Sequence, residues 1–447
     1  MDIVDNNFNT NKYVNSNNKR HVSLSNNIAY WLKLNVNYIN KENKLMVNMY
    51  KKILNQKDID VLIKCIKYNI NIVPILYQFN DDNIQILMNK AIECINIYMM
   101  KHICKYVEYD NELIVKLTGN FCGNGNVNIV KYLHREIGLT KQDFQLNNNN
   151  ACQCACSRGR LEVVKYLYEE IGLTKQDFQS NDNYACRFAC RNGHFNVVKY
   201  LHQEIELTKQ DFQSCKNWAC RYACEYGHIN VVKYLHQEIG LIKKDFQSKD
   251  NHACRLACRN GHIDVVKYLH QEIGLTKQDF QSYENCACRL ACLYGHIDIV
   301  KYLHQEIGLT KQDFQSDYDY TCEYACNNGH VDVVKYLYQN IGLTKDDFQA
   351  NNNEAFLSAC ECGHIDVVKC LHREIGLTKQ DFQANNNYAC RRACICGKID
   401  VVKYLHQEIG LTKEDFQLDN YSAYKKACKY KYDDVVKYLL NEINIFS

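Results

Sequence analysis

Apolar and polar positions follow a period of 34 residues through most of the chain. The segment Ile-Val-Lys-Tyr-Leu at residues 129–133 recurs with small changes up to Val435, which gives ten copies without an insertion. Such strict phasing indicates that every repeat occupies an equivalent place in an array. We therefore predict a repeat array that covers residues 117–447.

Within one repeat, the hydrophobic pattern predicts two short helices. Ala253 and Ala257 are four residues apart, so small side chains share one face of a first helix. Gly261 suits the left-handed backbone that ends this helix, and a second helix should start at about Ile263. Its apolar stripe and its cap are Val265, Val266, Leu269, Ile273 and Gly274. Two such helices cannot bury their apolar faces alone, so the pattern predicts an all-α helical repeat solenoid with ten 34-residue units.

The segment after the second helix carries a signal for the start of another helix. Thr276 is followed three residues later by Asp279, which is a capping-box-like pattern. We therefore expect a short helical turn over residues 275–280, with Leu275 and Phe280 in the core. Extended strands in this segment would contradict the expectation.

The repeated residues resemble the ankyrin repeat. The Ala-Ala-x-x-Gly-His signature of that family is nearly met by Ala-Cys-Arg-Asn-Gly-His at residues 257–262, and its Val-Val-x-x-Leu core follows at residues 265–269. The repeat departs from the family in its length, in its missing Thr-Pro-Leu-His turn and in the helical turn expected where the family has a β-finger. A tetratricopeptide array shares the period of 34, but its aromatic and proline landmarks are missing. The Asn-, Ile- and Lys-rich composition also resembles the ankyrin-repeat proteins of giant DNA viruses of amoebae (mimivirus type).

The two ends of the chain differ from the array. Residues 1–26 are polar and are predicted to form a disordered tail. Residues 27–116 are predicted to form a helical N-terminal region with degenerate repeats, because residues 87–107 match the repeat weakly. The last repeat has Lys431 in place of the turn glycine, and its other lysines would supply the polar outer face that a terminal cap needs.

Composition and charge argue against two classes of protein, dedicated nucleic-acid binders and membrane proteins. The chain has 54 basic and 51 acidic side chains, and a net charge of +3 argues against a dedicated nucleic-acid binder. It has neither a signal-peptide pattern nor an apolar run of about 18 residues, so we expect no membrane association. The 26 cysteines are then expected to be thiols in a reducing, cytoplasmic setting, which is the host cytoplasm if the chain is viral.

The recurring cysteines and histidines have a structural and a metal-binding interpretation. The pair Cys254 and Cys258 with His262 offers ligand types that suit zinc. In another repeat, however, Phe356 occupies the slot of the first cysteine, as a packing role predicts and metal binding does not. The resemblance implies that the turn histidines brace neighbouring loops. Because no nucleophile, acid–base or phosphate-binding motif is present, we predict no catalytic residue, no cofactor and no metal.

The positions that vary between repeats are the candidates for recognition. They are the four residues before each first helix and the polar side of that helix, which the resemblance implies is a concave binding surface. Tyr, Trp and Arg dominate binding hot spots because each buries a large area and keeps a polar group. The alternative is that the arginines form a solvated helix face. The predicted partner-binding residues are Tyr184, Arg187, Arg191, Trp218, Arg221, Tyr222, Tyr226, Arg255, Arg259, Arg289, Tyr318 and Tyr320.

Two functions are compatible with this surface. The first is a non-enzymatic, monomeric scaffold for protein–protein interaction, whose unidentified partner is a host-cell protein if the viral resemblance holds. The second is a nucleic-acid-binding solenoid in which arginines contact phosphates and aromatic rings stack on bases. Steep salt dependence of oligonucleotide binding would favour the second. An enzyme with its site in residues 27–110 is a third class, which no motif supports.

Overall fold

The computed structural model describes residues 110–315 and 320–446. The chain forms two compact bodies, and the described part of the first comprises residues 110–155 and 160–177. The second comprises residues 156–159, 178–315 and 320–446. The predicted tail 1–26 and nearly all of the predicted region 27–116 lie outside the described residues.

The second helix of each repeat forms as the hydrophobic pattern predicts. In the repeat around Val265, the helix begins at Ile263, and Val265, Val266 and Leu269 are fully buried. The second helices span Val127–Arg135, Leu161–Glu169, Phe195–Gln203, Ile229–Gln237, Ile263–Gln271, Ile297–Gln305, Val331–Tyr336, Ile365–Arg373, Ile399–Gln407 and Asp433–Asn441. One of them, Val331–Tyr336, continues as a π-helix over Leu337–Ile341.

A short helix follows the second helix, which confirms the helical turn expected at residues 275–280. Thr276 caps the helix Lys277–Phe280, because Asp279 accepts hydrogen bonds from both the backbone N–H and the hydroxyl of Thr276 (2.7 and 3.0 Å). Leu275 and Phe280 are buried, as predicted. The other separate short helices are Lys209–Phe212, Lys243–Phe246, Lys311–Gln315 and Lys379–Phe382.

The first helices complete the repeats. Four of them are continuous with the preceding short helix, and all bury small residues on one side. They span Asn111–Asn124, Lys141–Ser157, Lys175–Arg191, Ser214–Glu225, Ser248–Arg259, Ser282–Leu293, Tyr320–Asn327, Lys345–Cys362, Ala384–Ile395 and Lys413–Lys429. The described residues thus form an all-α repeat solenoid of helix pairs, as the hydrophobic pattern predicts.

A turn of three consecutive left-handed residues precedes the first helix, and the sequence analysis did not predict it. Such turns occupy residues 147–149, 181–183, 215–217, 249–251, 283–285, 351–353, 385–387 and 419–421. Left-handed backbone costs roughly 1–2 kcal/mol per residue outside glycine, and Asn and Asp tolerate it best. Asparagine accordingly occupies the third position in all but the last of these described turns, where Tyr421 stands.

The turn between the two helices requires glycine for two reasons, its left-handed backbone and the close approach of the next repeat. Gly261 has φ +80°, and a Cβ built there would lie 2.7 Å from Cε1 of His296 in the next repeat. Nε2 of His296 donates to the carbonyl of Arg259 (2.8 Å), so the histidine braces the preceding turn as the resemblance implies. A side chain at residue 261 would therefore disturb both repeats.

Polar contacts between neighbouring repeats recur as regularly as the apolar core. In the second body, the side-chain amide of a glutamine donates to the capping aspartate of the next repeat at 2.6–2.8 Å, as Gln247 does to Asp279. A histidine of the second helix contacts the tyrosine hydroxyl of the next repeat at 2.9–3.1 Å, as His270 does with Tyr302. These groups would be costly to leave unpaired when partly buried. Within the described part of the chain, no helix is long and apolar enough to cross a bilayer.

Candidate functional site

Six aromatic side chains make continuous ring contacts on three consecutive first helices of the second body. Tyr184 stacks on Phe188 with ring centroids 3.9 Å apart, and Phe188 lies 4.8 Å from Trp218. Trp218 lies 4.1 Å from Tyr222, whose ring is 6.4 Å from Tyr226 and 5.6 Å from His252. Tyr226 is exposed and the other five rings are half-buried. We call these residues the aromatic cluster: Tyr184, Phe188, Trp218, Tyr222, Tyr226 and His252.

The stacking of repeats does not require aromatic rings at these positions. In later repeats, the slot of Trp218 contains an aromatic residue in three cases, His252, Tyr320 and Tyr388, and a non-aromatic one in the other three, Cys286, Glu354 and Ser422. The slot of Tyr222 contains Leu290, Ser358 and Lys426. The neighbouring alanines and cysteines of those first helices are nevertheless almost all buried. The cluster is therefore a local feature that the repeat does not need for its own packing.

Four of the predicted arginines, and Arg391, hydrogen bond to the left-handed turn of their own repeat. Arg255 donates from Nε to the carbonyl of Asp250 (2.8 Å) and from Nη2 to that of Lys249 (3.2 Å). Arg187 and Arg221 make both equivalent bonds, and Arg221 is buried. The bond from Nη2 is also made by Arg289 and Arg391.

These bonds give the arginines a structural role. The sequence analysis had considered only partner binding or a solvated helix face for them. Charged donors on two carbonyls offset part of the cost of three left-handed residues. Two repeats have Gln153 or Leu357 in the arginine slot and three asparagines in the turn, and Gln153 donates to the carbonyl of Asn148 in its own turn. A third repeat has Lys425 in the slot, and its turn ends at Tyr421. Turns with the arginine range from three asparagines at residues 385–387 to Cys215-Lys216-Asn217, so the composition of the turn does not follow the arginine.

Two further predicted arginines contact tyrosines of the next repeat. Arg191 donates to the hydroxyl of Tyr226 (2.8 Å), and its guanidinium lies 4.9 Å from the centre of that ring. Arg259, which is exposed, makes equivalent bonds to the hydroxyl of Tyr294 (3.1 and 3.2 Å). Cation–π contacts at exposed sites of this kind are worth about 0.5–1 kcal/mol. They hold the cationic groups beside the rings and limit their movement.

Glu225 lies beside His252 of the cluster and forms a partly buried polar pair with it. Oε2 of Glu225 lies 4.0 Å from Nε2 of His252. Among the described residues, none donates to Oε2 of Glu225 or bonds with Nδ1 of His252, although both atoms are buried. Burial, with Arg221 and Arg255, lowers the pKa of His252 to about 4, so the ring is neutral near pH 7. Burial raises the pKa of Glu225 against the opposing effect of nearby arginines.

The predicted site residues therefore separate into groups. Tyr184, Trp218, Tyr222 and Tyr226 lie together, whereas Tyr318 is outside the described residues and Tyr320 begins a first helix. The sequence analysis missed Phe188 and Glu225 as members of this site, and it placed His252 among the variable positions without predicting it as a partner-binding residue. A comparison of equivalent slots between repeats could have found Phe188, but ring contacts and burial could not be read from the sequence.

The recurring cysteines pack in the core of the first helices. Cys254 is fully buried and contacts the carbonyls of Asn251 (3.3 Å) and Asp279 (3.7 Å), so its thiol has hydrogen-bonding partners on both sides of the repeat interface. Burial, followed by the charge of Asp279, raises the pKa of Cys254 far above its ordinary value. Burial and Asp415 raise the pKa of Cys390 to about 12. Thiols held in their neutral form are poor metal ligands and poor nucleophiles, which supports the packing interpretation.

Comparison with known families agrees with the architecture. A family model described as ankyrin repeats in three copies matches residues 221–314, 290–381 and 359–447. A second model, described as ankyrin repeats in many copies, matches residues 152–202. No curated protein matches the chain.

Proposed function

The chain belongs to the ankyrin-repeat family, and on that premise we propose that it is a non-enzymatic scaffold that binds a partner protein through the aromatic cluster. Ankyrin repeats generally mediate protein–protein interaction and are typically non-enzymatic. Beyond this general role, we propose which residues contact the partner: the aromatic cluster and the cations that adjoin it, on the first-helix side that we expect to be concave.

The observation that supports this proposal is the presence of stacked rings where the repeat needs none. Exposing large aromatic surface costs free energy of roughly 25 cal/mol per Å², and a partner that covers it recovers that free energy. Rings already stacked on one another lose little conformational freedom on binding. Both properties are typical of binding hot spots.

The arginines contribute in two different ways under this proposal. Arg187, Arg221, Arg255 and Arg289 hold the turns that display the residues before each first helix. Arg191 and Arg259 offer charge beside the rings. The predicted tyrosines at 318 and 320 remain proposals for the extension of the surface along later repeats.

Paired substitutions test this function. Trp218→Ala with Tyr222→Ala should abolish capture of the partner by the full-length chain in quantitative affinity purification. Tyr388→Ala with Arg392→Ala changes the same two slots in a distant repeat and serves as the matched control. Circular dichroism should show that both variants retain their helices. Equal recovery of every bound protein by the cluster variant, the control and the unmodified chain would overturn the proposal.

A nucleic-acid partner is the second candidate function. The presence of stacked rings beside arginines supports it. One feature opposes it: the rings of Tyr184 and Phe188, and those of Trp218 and Tyr222, already cover one another, which leaves fewer faces on which nucleobases could stack. Binding to oligonucleotides that weakens steeply with salt would favour this candidate.

Other parts of the proposal rest on composition. We also propose an origin in a giant DNA virus, a host-cell protein as the partner and a cytoplasmic location, and the Asn-, Ile- and Lys-rich sequence supports the first of these. A monomeric state is also proposed. Sedimentation equilibrium of the purified chain tests the last point, and a concentration-dependent rise in mass would contradict it.

A further inference from the structure

We propose that the partner binds through an acidic segment with an apolar side chain. This inference rests on the proposed function, because it specifies the partner chemistry of the same surface. Two independent features carry it: the charge of the surface and the arrangement of the rings.

Charge on the first-helix side is unequally distributed along the second body. The first helices and turns at residues 181–191, 215–225 and 249–259 contain seven cations and three carboxylates. The whole chain has a net charge of only +3, so this part is more basic than the average. Complementary potentials favour an acidic partner, because opposite charges speed encounter and like charges suppress it.

The rings indicate an apolar side chain rather than a nucleobase. Tyr184 and Phe188 lie face to face at 15°, and Trp218 and Tyr222 are 4.1 Å apart, so these faces already cover one another. Nucleobases bind proteins by stacking on accessible aromatic faces. The outer rim of the cluster, which includes the exposed Tyr226, instead offers edges against which an aliphatic or aromatic side chain can pack.

Selection from a random peptide library tests this chemistry without knowledge of the natural partner. The full-length chain should be immobilised, and peptides that also bind the Trp218→Ala/Tyr222→Ala variant should be removed. We expect the remaining peptides to be enriched in Asp and Glu together with Leu, Phe, Tyr or Trp. Enrichment of basic peptides, or of neutral ones without acidic residues, would overturn the acidic assignment while leaving the proposed function intact. Selection of the same peptides by both proteins would contradict the proposed function itself.

Fluorescence of Trp218 then measures binding at the cluster directly. The chain has two tryptophans, so Trp31→Phe leaves Trp218 as the only one. A selected peptide without tryptophan should shift its emission, and its charge-reversed version, with Lys replacing the acidic residues, should bind at least tenfold more weakly. Equal binding of the two versions would overturn the acidic assignment. Displacement of the peptide by oligo(dT) at stoichiometric concentration would overturn it in favour of a nucleic acid.

Discussion

The first and second helices of the repeat share the period of 34 residues but differ in how much of their sequence recurs. Second helices repeat almost residue for residue, because their valines and leucines fill the core and their histidines and tyrosines contact the next repeat. First helices repeat only on their buried side. Their outer slots range from Trp218 to Ser422 without loss of the helix. Repetition therefore marks positions that the stack requires, and variation marks positions open to recognition.

Removal of a repeated core side chain should have the largest effect. Phe280→Ala should lower the free energy of unfolding by about 3–5 kcal/mol, since the ring is fully buried and leaves a cavity. Tyr222→Ala, on the variable side, should lower it by less than about 1.5 kcal/mol. Urea denaturation followed by circular dichroism measures both. Equal losses would show that the outer slots are as structural as the core.

Acid should weaken the contacts between repeats. Burial alone would raise the pKa of Asp279, but hydrogen bonds from Thr276, Gln247 and Lys243 outweigh it and lower the pKa. A carboxyl with a lowered pKa in the folded state stabilises that state above its unfolded pKa, and this contribution is lost as pH falls through the folded value. Asp313, Asp347 and Asp381 behave alike.

The urea midpoint should accordingly fall as the pH is lowered from about 5 towards 3, because this window starts above the ordinary aspartate pKa of about 3.9 and extends towards the lowered pKa of the folded state. Asp279→Asn removes one of the four groups, so its midpoint should depend less on pH than that of the unmodified chain. A midpoint that is constant over this window would contradict the proposed role of the aspartates.

Arg221 tests the boundary between the two kinds of position, because it lies on the variable side but bonds with its own turn. Arg221→Ala should lower the free energy of unfolding by about 1–3 kcal/mol, the range for lost hydrogen bonds to a charged group. Arg259→Ala is the matched control, since Arg259 is exposed and its side chain hydrogen bonds only with the hydroxyl of Tyr294 among the described residues. If the Arg221→Ala chain is as stable as the Arg259→Ala control, the bonds of Arg221 to its turn do not stabilise the fold.

Ile242 offers a smaller, stabilising test. It stands where other repeats have the capping threonine, and its apolar side chain is 56% exposed. Its backbone N–H still bonds with Asp245 (2.8 Å), but it has no hydroxyl to add the second bond that Thr276 makes. Ile242→Thr should raise the free energy of unfolding by about 0.5–1 kcal/mol. A decrease measured by urea denaturation would show that Ile242 makes an apolar contact of its own.

The regular part of the fold could be predicted because the same physical demand recurs in every repeat. The Val-Val-x-x-Leu stripe, Gly261 and the Thr276–Asp279 cap each have a local cause, and the structure confirms all three. The left-handed turn was not predicted. Its asparagines were visible in the sequence, but the stabilising arginine lies five or six residues away.

The candidate site was only partly predictable for a related reason. Exposed aromatic and arginine residues could be identified from variation between repeats. Whether an arginine points to solvent or to a backbone carbonyl depends on the turn conformation, which was unknown. Neighbouring repeats bury polar atoms of Glu225 and His252, so no local pattern in the sequence indicates that these two residues belong to the site.

Site-specific photo-crosslinking tests the central assignment most directly. A photoreactive phenylalanine analogue should replace Tyr222 in one chain and Lys267, on the exposed side of a second helix, in another. After irradiation with the bound partner, or with a selected peptide, we predict a crosslinked product from position 222 and none from position 267. Crosslinking from position 267 alone would contradict the assignment of recognition to the first helices.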